Sequence, residues 1–229
     1  MIRGNESVGL TLAHEGYDVW FGNSRGNTNS KEHLTLNPYA NGAKTYWNFS
    51  FEELGDYDLP AIIDYILEET EYTKLGYLAH SMGASQMLYA MSRNLEYFKD
   101  RISFCSFFSP AVLLSHSTSP MLLSIVNYVP TLAKVFEFLN MFEMFPNNPK
   151  SNTLAIICDI VPDFCHYLEK QSADLNPEYN DRQAASTFVW MYPAGASMKS
   201  IVHMSQIFKA QRYQRFDFGD KALNMIAYD

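Results

Sequence analysis

The sequence predicts an α/β fold, a layer of parallel strands with flanking helices that is interrupted by an insertion, and three observations carry that expectation. Short apolar runs of strand length at residues 16–22, 75–78 and 102–108 alternate with longer segments whose apolar residues recur at helical spacing. The last of these runs, ISFCSFF, is almost unbroken, as suits a strand buried on both faces. Strand, helix, strand, helix, strand at such intervals makes a parallel layer with helical crossovers. From Pro110 the texture changes, and proline, serine, methionine and aromatic residues dominate to about Pro193, which marks an insertion.

Taken in order, residues 7–14 read as a short helix, and residues 16–22, GYDVWFG, alternate as a strand does. Residues 23–28 are loop chemistry, where Gly and Asn tolerate positive φ, and Arg25 is expected to brace that loop, with contact to a ligand as the alternative reading. Residues 47–53 lead into a helix over 57–69, with Leu59, Ile62, Ile63 and Ile66 as its buried stripe and Pro60 in its first turn. A strand at 75–78 and a helix over 84–94 follow, and then the third strand at 102–108. Within the insertion, helical patterns fall at 121–128, 132–142 and 154–165, and the polar stretch 174–187 reads as loop. A last helix is expected over 197–213, ended by Phe216-Asp217-Phe218-Gly219. This divides the chain into a core at 1–110, a helical cap at 111–195, and a helix returning toward the core within 196–229.

Composition limits the function. A chain of 229 residues that is 47% hydrophobic, 15% aromatic and 18% charged has the profile of a packed globule. Its formal net charge of −8, with no basic cluster to neutralise phosphates, argues against nucleic acid as a partner. The span 102–133 has no Asp, Glu, Lys or Arg, yet polar residues and proline interrupt it too often for a transmembrane helix, so none is expected. The opening residues lead straight into a helical pattern, with no signal peptide in the sequence as given. Of three cysteines, Cys158 and Cys165 lie in one local segment that permits a disulfide, and Cys105 falls in a strand. Cys158, Cys165 and His166 lack a fourth ligand at metal-site spacing, so no metal is expected. Two glycan-acceptor tripeptides occur, Asn5-Glu6-Ser7 and Asn48-Phe49-Ser50, and they matter only if the chain enters the secretory route.

The chemistry concentrates at Ala79-His80-Ser81-Met82-Gly83, the short turn between the second strand and its helix. Strand, tight turn and helix are the setting of a nucleophile elbow, which lifts a serine hydroxyl above the sheet. Small residues at 79 and 83 let such a turn close, and Ala79 stands where the common pattern has Gly. An ordinary strand-to-helix turn is the alternative reading.

Five blocks in order resemble the acid lipase family, the lysosomal and gastric lipase type of α/β-hydrolase. They are GYDVWFGNSRGNTNS (16–30), YWNFSFEELGDYDLPAIIDYI (46–66), the elbow, TSPM (118–121) and YPAGASMKSIVHMSQ with the later FDFG (192–219). The resemblance implies a partial α/β-hydrolase core with a cap inserted after the sixth core strand. It also implies a lipid ester substrate, triacylglycerol or steryl ester, met at a lipid–water interface. By the same resemblance the compartment is secretory, lysosomal or extracellular, and the serine mechanism needs no cofactor. Ser81 takes the nucleophile position and the backbone N–H of Met82 one oxyanion-hole position. The family's elbow usually reads G-H-S-Q-G, so Ala79 and Met82 depart from it. His80 matches the family's histidine before the nucleophile and is not the general base. His203 and Asp217 match the helix and FD-G blocks, not a triad.

A serine of this kind needs a base and an orienting carboxylate, which in this fold follow the cap on the last core strands. The sequence is therefore expected to lack both, and to lack the His-Gly block that supplies the second oxyanion donor. The strand carrying that block belongs between strand 17–22 and the elbow strand. Its absence leaves a gap in the sheet, and the chain alone is expected to fold poorly or aggregate. A non-catalytic lipid-binding relative and a truncated gene product without function are the alternative readings.

Overall fold

The structure is a computed structural model that describes residues 7–40, 42–114, 116–147, 153–161 and 193–229, with the single residues 163, 167 and 190. Two strands form the sheet that carries the elbow, β1 (Leu75–His80) and β2 (Ile102–Phe108), paired in parallel with Tyr77 opposite Cys105 and His80 opposite Phe108. Between them run α5 (Met82–Arg93) and α6 (Leu95–Arg101), so the crossover is helical as expected. Before them come α1 (Val8–His14), the single turn α2 (Ala43–Tyr46), α3 (Phe51–Glu53) and α4 (Leu59–Thr70). A π turn over Leu54–Asp58 joins α3 to α4, and Pro60 sits in the first turn of α4, where its missing N–H costs nothing.

The start of α3 is fixed by a capping box. The Ser50 hydroxyl accepts from the Glu52 N–H, and the Glu53 carboxylate reaches back to the Ser50 N–H at 2.6 Å. Helices α4, α5 and α6 then cover one face of the sheet. Leu59, Ile63, Met87, Ala90, Phe98 and Ile102 are its buried centre, with Tyr77, Cys105 and Phe107 pointing into it from the strands. Of the stripe expected on α4, Leu59 and Ile63 are in that core, while Ile62 faces the backbone at Gly22.

Residues 17–24 are not a strand, contrary to the alternation of their sequence. The segment has no ladder partner among the described residues, and an unpaired extended chain is not a sheet. It lies along α4 instead, with Trp20 edge-on to Tyr65 at 6.1 Å, and Tyr17 and Phe21 are exposed. The other face of the sheet is also open. Leu78, Phe104 and Phe108 stand in solvent on strands whose parallel pairing usually goes with two covered faces.

The insertion holds α7 (Pro120–Phe138), α8 (Thr153–Ile160) and a two-residue ribbon, β3 (Glu143–Met144) antiparallel to β4 (Ala196–Ser197). Two helices separated by Pro130 were expected where α7 runs on as one. A proline removes the hydrogen bond to the carbonyl four residues back, and here that Val126 carbonyl receives the Ser205 hydroxyl at 3.0 Å. Ser205 lies on α9 (Met198–Ala210), which packs along α7, so tertiary contact repairs the break. A further helix, α10 (Lys221–Tyr228), follows Gly219, where the sequence pattern ends. Its N-cap Asp220 accepts from the N–H groups of Ala222 and Leu223. The loop expected at 174–187 lies outside the described residues. Cys158 is disulfide-bonded and Cys105 is a free thiol, while Cys165 and His166 lie outside the described residues.

Candidate active site

Ser81 sits at the junction of β1 and α5 with φ 54° and ψ −117°. A side chain at such angles is strained, and the surroundings hold it there. Its N–H donates to the Phe108 carbonyl at 3.0 Å, and its own carbonyl accepts from Ala84 at 3.1 Å and Ala111 at 3.3 Å. The end of β2 and the following loop therefore clamp the turn on both sides. The small residues at 79 and 83 have a direct reason: a Cβ placed on Gly83 would stand 3.2 Å from the Cβ of Ala79. The turn is tied further by the Tyr77 hydroxyl, which donates to the Gly83 carbonyl at 2.9 Å and accepts from Gln86 at 3.0 Å. Burial drives the Tyr77 phenol up to about 12, so it stays a neutral donor at any ordinary pH.

The helix behind the serine is fixed as firmly. Ser85, fully buried, donates its hydroxyl to the Ala111 carbonyl at 2.7 Å, and the Tyr213 hydroxyl donates to the Ser85 carbonyl at 2.6 Å. Gly55 of the π turn lets the chain pass close to α5, since a Cβ there would meet the Gln86 carbonyl oxygen at 2.8 Å. Met82 opens α5, and its N–H is among the first amides of the helix, which have no intrahelical acceptor and carry the positive end of the dipole. Its side chain packs against two aromatic clusters, one around Trp47 and Phe49 and the other around Phe51 and Tyr89.

Ser81 itself is half-buried, and its hydroxyl makes no hydrogen bond among the described residues. A serine hydroxyl at a strained bend beside the first amides of a helix has the setting of a nucleophile, and it needs a base to act as one. His80 is exposed and next in sequence. His203 is fully buried elsewhere, its Nδ1 3.1 Å from the Ser50 hydroxyl and its Nε2 2.9 Å from the Gln214 carbonyl, with its ring stacked on Phe51. The carbonyl can only accept, so Nε2 carries the proton and Nδ1 accepts from Ser50. Asp217 is committed to the Gly219 N–H and the Asn224 amide. Arg25 braces its loop, with its backbone N–H at 2.8 Å and its guanidinium at 2.6 Å from the Asp58 carboxylate. A recess on the surface of the molecule is lined by Asp217, Gly219, Asp220, Asn224 and Met225, and no elbow residue borders it.

Sequence reasoning missed the residues that hold the elbow from a distance. Tyr213 and Ala111 lie 128 and 26 residues from Ser85, and no local pattern announces either contact. The pairing of Lys31 with Glu143, which joins the loop after Arg25 to the cap ribbon, was missed for the same reason.

Residues 5–229 match the model of the alpha/beta hydrolase fold. Over 98% of its length the chain is 33% identical to the lysosomal acid lipase/cholesteryl ester hydrolase of Macaca fascicularis, covering 55% of that protein. It is 31% identical to the tear acid lipase-like protein of Mesocricetus auratus, over 98% of this chain and 55% of that one. To the gastric triacylglycerol lipase of Rattus norvegicus it is 30% identical, over 98% of this chain and 56% of that one. The chain thus spans a little over half the length of these relatives. With a parallel sheet under helices and a likeness to acid lipases along nearly its whole length, the chain belongs to the alpha/beta hydrolase fold family.

Proposed function

We propose that the chain is part of a serine hydrolase of lipid esters acting in lipid catabolism, with Ser81 as nucleophile and the Met82 N–H as one oxyanion donor. The Ser81 hydroxyl loses its proton to a base and attacks the ester carbonyl carbon, and the negative oxygen is received by the amide at the start of α5. The alcohol then leaves, and water releases the acyl chain from Ser81. Among the described residues none is assigned as the base or its carboxylate partner. The observation that carries the reading is the strained backbone of Ser81, braced from β2 at the mouth of a helix.

The substrate class rests on two supports. Relatives carry the names of triacylglycerol and cholesteryl ester hydrolases. In addition, α7 of the cap exposes Tyr128, Leu132 and Val135, and its C-cap Leu139 continues this stripe at helical spacing, suited to long acyl chains at a lipid–water interface. Among the described residues no helix is long and apolar enough to cross a membrane. The compartment proposed is the secretory route, lysosomal or extracellular. A fluorophosphonate probe tests the mechanism on the folded protein. Labelling is expected, and it is expected to vanish in Ser81→Ala. Absence of labelling in the folded wild type removes the assignment.

A further inference from the structure

The tripeptide Asn48-Phe49-Ser50 lies outside the elbow, yet its three side chains are sorted in a specific way. Trp47 and Phe49, on either side of Asn48, are both buried, with their rings stacked at 5.8 Å. The backbone between them turns sharply, the Phe49 N–H donating to the Trp47 carbonyl at 2.9 Å. Two inward aromatics across one turn leave the residue between them facing out, and Asn48 is exposed. Its amide has no hydrogen-bond partner among the described residues, so nothing in the fold claims it. The hydroxyl that completes the acceptor signal, that of Ser50, is buried, accepting from the Glu52 N–H and donating to His203.

We propose that Asn48 carries an N-linked glycan. The inference rests on the secretory-route reading above. In the transfer, Nδ2 of Asn48 forms a bond to C1 of the first sugar of a polyprenyl-diphosphate-linked oligosaccharide. The C1–oxygen bond to the diphosphate breaks, the polyprenyl diphosphate leaves, and the amide gives up one proton to the transferase. Recognition needs the Ser50 hydroxyl free, so transfer precedes the folding of residues 47–53. Afterwards the same hydroxyl caps α3, and the glycan is left on the outside of the turn, where a bulky polar group meets no protein. Asn5, the other acceptor, lies outside the described residues.

The test is translation of the full chain behind a cleavable secretory leader in the presence of endoplasmic reticulum microsomes, as wild type, Asn5→Gln, Asn48→Gln and the double variant. Asn5→Gln is expected to be protease-protected and to carry one glycan removable by N-glycosidase F. Asn48→Gln is expected to carry one fewer than wild type, and the double variant none. A protease-protected Asn5→Gln chain without glycan overturns the site. Absence of glycan on the native protein recovered from its own cells, where the leader-driven chain is glycosylated, overturns the proposal through its compartment instead, and the leader tells the two failures apart.

Discussion

At Ser81 the chain holds a conformation that a free serine avoids, and the neighbours that enforce it are specific. The Phe108 carbonyl and the Ala111 N–H fix the peptide groups on its two sides, and Gly83 leaves room for Ala79. A side chain at 83 must push the turn open. Gly83→Val is expected to destabilise the protein by about 1–3 kcal/mol, the usual cost of overpacking. Ala79→Gly should recover part of that loss, because the two positions meet directly, and a double-mutant cycle by urea denaturation measures the coupling. Equal losses with and without Ala79→Gly would count against the close approach. Much of this site was legible, since the small–x–Ser–x–Gly spacing names the turn and its two small positions. The long-range braces were not, because a hydrogen bond between residues 128 apart leaves no mark on local sequence.

At the scale of elements, α3 and α9 are locked together through polar contacts that burial makes sensitive to pH. Burial raises the Glu53 carboxyl, but Lys199 at 2.6 Å and the Ser50 N–H outweigh it and hold the carboxyl below its usual range. His203, between Ser50 and the Gln214 carbonyl, is pushed down to about 4, chiefly by burial. An unfolded histidine takes up its proton near pH 6.5. Between that value and about 4 the unfolded chain therefore binds the extra proton and the folded one does not. The His203 contribution is complete above pH 6.5 and lost as pH falls to about 4, on the order of 3 kcal/mol in all. His203→Gln should flatten this part of the acid-induced loss of near-UV circular dichroism. An unchanged acid midpoint would refute the assignment. The sequence marks helix α9 clearly, but only packing shows that its histidine faces inward and is neutral.

For the whole molecule, the governing feature among the described residues is a two-stranded parallel sheet covered on one side only. Leu78, Phe104 and Phe108 are exposed on the other face, and β1 has no second neighbour among the described residues. Parallel strands usually have both faces buried, and this pair has one. An uncovered apolar face of this kind predicts a fold of low net stability, binding of a hydrophobic dye and aggregation on concentration, so the denaturation series belongs at low protein concentration. A sharp, cooperative melt of a soluble monomer is the contrary result.

The sequence by itself determined the α/β class, the strand–turn–helix around Ser81 and the crossover through α5 and α6, because periodicity and small-residue spacing are local properties of the chain. Tertiary structure alone decided that residues 17–24 stay out of the sheet and that α7 runs through Pro130. It also decided which distant side chains grip the elbow. The physical reason is common to all three: a backbone group is satisfied by whatever donor or acceptor packing brings to it, and the sequence nearby does not say which one that is.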